Sequence, residues 1–73
     1  MELLPRYEIS VGLSPVDACR LLGVAYSTYN QYRRGQRSLP IYIALHVDLL
    51  MRLDQALLDQ VVRDRLVPTE GEP

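Results

Sequence analysis

Between Leu3 and Val11 the order of apolar and polar positions predicts a short first helix. Pro5 stands near its start, where a missing N–H costs little, and Gly12 follows as a terminator. Ser14-Pro15-Val16-Asp17 predicts the next helix start more strongly. Ser14 can accept a bond from the amide of Asp17, Pro15 is pre-organised for the first helical position, and the Asp17 carboxylate faces the positive helix end. A helix over 15–22 follows, with Val16, Ala18, Cys19 and Leu22 available for its inner face and Gly23 as its stop. A third helix starts near Ala25 or Tyr26 and runs to Arg34, with Gly35 at its end. Tyr29 and Tyr32 share one face of it, and the rest of its circumference is polar: Tyr26, Ser27, Asn30, Gln31, Arg33 and Arg34. Only a thin stripe of this helix is suited to burial, the reverse of an ordinary core helix.

From Pro40 to about Leu66 the spacing predicts one long, mainly apolar helix. Asp48, Arg52, Gln55, Asp59 and Arg63 recur every three or four positions and form a polar stripe about 80° wide. Asp48 with Arg52 and Asp59 with Arg63 are acid-first i,i+4 pairs. The remaining arc carries Leu45, Val47, Leu49, Leu50, Leu53, Leu57, Leu58, Val61 and Val62. That arc exceeds what one small chain can cover, so a second subunit is expected on it, with Leu50, Leu53, Leu57, Leu58 and Val61 as the interface residues. The expected organisation is a single all-α domain over 1–67, with helix-turn-helix 14–35 and a long C-terminal dimerisation helix 40–66. A disordered tail, 68–73, has nothing to bury.

Composition sharpens this picture. A chain of 73 residues buries roughly 60% of its unfolded surface, which makes a marginal core that assembly would help. Its single cysteine excludes an intrachain disulfide, and with one histidine it gives no zinc set. No long uncharged apolar run is present and the N-terminal stretch lacks a signal-peptide pattern, so a soluble, cytoplasmic protein without a membrane span is expected. The net charge is −1, from eight arginines, no lysine and nine carboxylates. It is unevenly spread. Residues 1–18 set Arg6 against Glu2, Glu8 and Asp17. Residues 19–40 hold Arg20, Arg33, Arg34 and Arg37 with no acid, a local +4, and the remainder sums to −3. A basic window rich in Tyr, Asn and Gln has the donors that phosphates and base edges accept.

Helix, glycine turn, helix is the layout of a helix-turn-helix, and the residues at the turn carry a family likeness. Leu22-Gly23-Val24, Cys19 at the small-residue position four before Gly23, Thr28-Tyr29, and Tyr32-x-x-Gly35 resemble the lambda-repressor-like (Cro/C1-type) helix-turn-helix family over residues 12 to about 50. Gly35-x-Arg37-x-x-Pro40 followed by an apolar helix is similar to compact phage-type regulators, including the anti-CRISPR-associated repressors. Three positions depart from the family pattern. Ala25 stands for the capping serine, Pro15 for a polar phosphate-contacting residue, and Arg33 for a glutamate, which adds positive charge near the expected DNA surface.

The resemblance implies a homodimeric repressor of a phage or mobile-element operon that binds an inverted repeat in double-stranded DNA. The expected DNA-binding residues are Tyr26, Ser27, Thr28, Asn30, Gln31, Arg33, Arg34 and Arg37; Arg20 reads equally as contact or as surface. Tyr29 and Tyr32 are core anchors, Cys19 a buried small residue, and His46 structural. No phosphate loop or nucleophile motif points to an enzyme, and no cofactor, metal or small-molecule effector is expected. The alternative is a protein-interaction module, an antitoxin or adaptor that docks a partner on the apolar C-terminal helix.

Overall fold

The computed structural model describes residues 2–66, which form five helices and no strand: α1 (Leu3–Val11), α2 (Pro15–Leu22), α3 (Tyr26–Arg33), α4 (Ile41–Arg52) and α5 (Gln55–Leu66). The expected tail 68–73 lies outside the described residues. Among those described, no helix is long and apolar enough to cross a membrane.

The first three helices end in the same way. At Gly12, Gly23 and Gly35 the backbone turns left-handed, with φ of 71°, 76° and 75°. The amide after each glycine reaches back to a carbonyl five residues earlier: Leu13 to Glu8, Val24 to Cys19, Gln36 to Gln31. This Schellman closure satisfies carbonyls that the helix leaves open, and glycine adopts the required φ without the Cβ clash other residues meet. At the start of α2, Ser14 Oγ accepts from the Asp17 amide at 3.3 Å, as the sequence predicts. Ala25 gives α3 no side-chain cap.

The expected single helix over 40–66 is two helices. Leu53 leaves helical geometry (φ −68°, ψ 143°), and Asp54 Oδ1 then accepts from the Leu57 amide at 2.9 Å. A new N-cap inside the sequence ends one helix and begins the next. The break divides the apolar residues between two faces. Ile43, Val47 and Leu50 point inward from α4 and Leu58 from α5, so Leu50 and Leu58, expected at a subunit interface, belong to the core of one chain. Leu53 and Val61 are half-buried against that core, and only Leu57 of the expected five is exposed. The Asp48–Arg52 pair forms at 2.8 Å, whereas Asp59 accepts from Gln55 at 2.7 Å instead of meeting Arg63.

Leu4, Tyr7 and Val11 of α1, Ala18, Cys19 and Leu21 of α2, and Tyr29 of α3 complete the core. Leu21 takes the deep position on α2, while Val16, assigned to the inner face, is exposed and Leu22 is half-buried. Tyr7 sends its hydroxyl to the carbonyl of Ala18 at 2.8 Å, which ties α1 to α2. Burial holds that phenol far above its ordinary pKa, so it is a permanent donor. α5 closes on α2 by a reciprocal pair of bonds. Arg65 donates to the Leu21 carbonyl at 2.6 Å, and Arg20 donates to the Leu66 carbonyl at 3.4 Å. Each cation thus serves carbonyls that a helix end leaves open.

Candidate nucleic-acid interface

α3 is held by one edge. Tyr29 is fully buried, and its hydroxyl donates to Glu8 Oε2 at 2.6 Å. Arg33, one turn further, grips the same carboxylate with two bonds, Nε to Oε2 at 2.8 Å and Nη2 to Oε1 at 3.0 Å. Glu8 comes from α1 and is itself only 8% exposed. Burial and the bond to Glu8 push the Tyr29 phenol far above its usual range, and the carboxylate raises Arg33 further. One buried carboxylate, a neutral phenol and a permanent cation therefore fix how α3 lies on α1.

This pairing changes the charge pattern of the basic window. Its acids are missing in sequence but two arrive by folding: Glu8 neutralises Arg33, and Asp17 lies 3.3 Å from Arg20. Arg33, expected at the DNA surface, is turned toward α1. Arg34 and Arg37 form no ion pair among the described residues; Arg37 makes a long contact, 3.4 Å, to Gln31 Oε1. A net +2 remains where +4 is counted along the chain.

At ~100° per residue, Ser27, Gln31 and Arg34 lie on the side of α3 opposite Tyr29, with Thr28 and Asn30 at the flanks. Ser27, Gln31 and Arg34 are exposed, and Thr28 and Asn30 half-buried. Tyr26 stands at the start of the helix, 47% exposed. The fold therefore brings seven of the eight expected contact residues, Arg37 included, to one helix and the loop after it, five of them exposed and Thr28 and Asn30 half-buried. Tyr32 is half-buried against the core, and Cys19 is buried with Sγ donating to the Val16 carbonyl at 3.0 Å.

Sequence reasoning missed Glu8. Its signal was present: Leu4, Glu8 and Val11 share one helix face, so a carboxylate on the inner side of α1 demanded a donor. The described residues hold no cluster of His, Cys, Asp or Glu that could bind a metal ion.

A comparison with protein-family models, curated proteins and solved structures found no match to this chain.

Proposed function

We propose that the protein is a double-stranded-DNA-binding transcriptional regulator of helix-turn-helix type, with α2 as the positioning helix and α3 as the recognition helix in the major groove. The observation that carries this reading is the face of α3. Its inner edge is clamped by Tyr29 and by the Arg33–Glu8 pair, and its outer face offers Ser27, Thr28, Asn30, Gln31 and Arg34 with no acid among them. Asn and Gln can bond adenine in two places, and an arginine can do the same to guanine. Arg34 and Arg37 supply the phosphate contacts that set register.

Two copies on an inverted repeat, each with one α3 in the groove, would occlude a promoter. Repression of a phage or mobile-element operon follows from the family resemblance of the turn.

The test is binding to duplex selected from a random pool, set against binding to random duplex, across a salt series. With two phosphate-binding arginines per subunit, log K should fall with log salt with a slope of about −2 per subunit. Asn30→Ala or Gln31→Ala should cost roughly 1–3 kcal/mol on the selected duplex and little on random DNA. Equal losses on both duplexes would make these residues phosphate contacts. A wild type that binds neither duplex at low salt would leave the interaction-module reading in its place.

A further inference from the structure

α4 has a bare side. Ile41, Tyr42, Leu45 and Leu49 are 72%, 70%, 62% and 58% exposed. Their spacing places them on one face of α4, opposite Ile43, Val47 and Leu50. Together they leave on the order of 500 Å² of mostly apolar surface in water. The largest continuous apolar patch on a monomer is typically about 300–600 Å² and is often functional, and each partner of a standard interface contributes about 800 Å². The stripe therefore supplies more than half of one side of an ordinary interface before any neighbouring residue is added.

We infer that this stripe is the contact between two copies of the chain, packed with their α4 helices antiparallel about a two-fold axis at Leu45. The proposal deepens the dimeric part of the proposed function and rests on it for the choice of a second copy over a foreign partner; it moves the contact from α5 to α4.

Self-complementarity argues for the two-fold. With a rise of ~1.5 Å per residue, an axis at Leu45 sets Leu45 against its own copy and Ile41 level with the partner subunit's Leu49, aliphatic on aliphatic. Tyr42, in the first turn of α4, then lies level with the partner subunit's Asp48. That last juxtaposition answers a second observation. α4 begins with Pro40 at its cap position, no side-chain cap and no acid in its first turn, so the positive end of its dipole lacks the usual counter-charge. The two-fold brings a carboxylate there from the other subunit. Asp48, already bonded to Arg52 and exposed, sits at the edge of the stripe as interfaces place their charges.

Cysteine cross-linking reads this geometry directly. A residue on a two-fold axis meets itself, so Leu45→Cys should form a disulfide-linked species of twice 8.4 kDa in most of the protein under mild oxidation. Leu57→Cys, also exposed but on α5, should form little. Cys19 is buried and does not compete. The wild type should sediment as a dimer at tens of micromolar, and Leu45→Asp as a monomer with unchanged helical circular dichroism. A monomeric wild type, or cross-linking through Leu57→Cys and not Leu45→Cys, would overturn the proposal. DNA enters none of these measurements: a dimer without DNA affinity sinks the regulator reading alone, and a DNA-binding monomer sinks this one alone.

Discussion

Glu8 accepts from Tyr29 and twice from Arg33 while almost wholly out of water, and a carboxylate so placed is stable only while its donors stay. Glu8→Ala should cost about 2–3 kcal/mol, the scale of charge-assisted bonds lost together with a stranded phenol, visible as a lower urea midpoint. Arg33 is partly exposed, which reduces its share of that figure. The same contact makes a prediction about DNA. Arg34→Ala and Arg37→Ala should each lower the salt slope by about one, whereas Arg33→Ala should leave it unchanged. A drop of one in the Arg33 variant would mean that the guanidinium leaves Glu8 for phosphate. Read from sequence alone, Arg33 is one of four cations in an acid-free window. Its partner lies 25 residues earlier, and no local pattern connects the two.

At the scale of elements, punctuation decided what could be read in advance. α1, α2 and α3 are bounded by glycines, and α2 also by Ser14-Pro15, residues whose backbone preferences act at once and locally. Their limits are therefore legible, and with them the polar face of α3. The break between α4 and α5 carries neither glycine nor proline. The apolar and i,i+4 patterns run through it, and the only cue is Asp54 three residues before Leu57. A cap of that kind competes with helix continuation, and packing of Leu50 and Leu58 into one core settles the contest. One continuous helix over 40–66 would turn those two leucines outward, whereas the break places both in the core. Asp54→Ala should remove the cap and destabilise the fold by about 1 kcal/mol. Amide exchange at Leu57 should accelerate more than exchange at Val47; equal acceleration at both would deny the cap a local role.

For the whole molecule, the closing contact is that of α5 on α2. Arg65 bonds the Leu21 carbonyl and lies 3.1 Å from His46 Nε2. Burial, and then the charge of Arg65, lower the His46 pKa below its ordinary 6.5. The folded chain thus resists a proton that the unfolded chain accepts. Stability should be full above pH 6.5 and decline as pH falls from 6.5 toward the depressed folded value. His46→Gln should flatten that limb of a plot of melting temperature against pH, and an unchanged limb would assign it to the carboxylates. The single cysteine offers a view of the same closure in time. Cys19 is 1% exposed, bonded to the Val16 carbonyl, and held protonated by burial, yet thiol reagents attack only an accessible thiolate. Its modification rate therefore counts openings of the core, one molecule at a time, and converts to the free energy of opening when reclosing is fast. If two copies must separate before α4 can lift away, diluting the protein will quicken that clock.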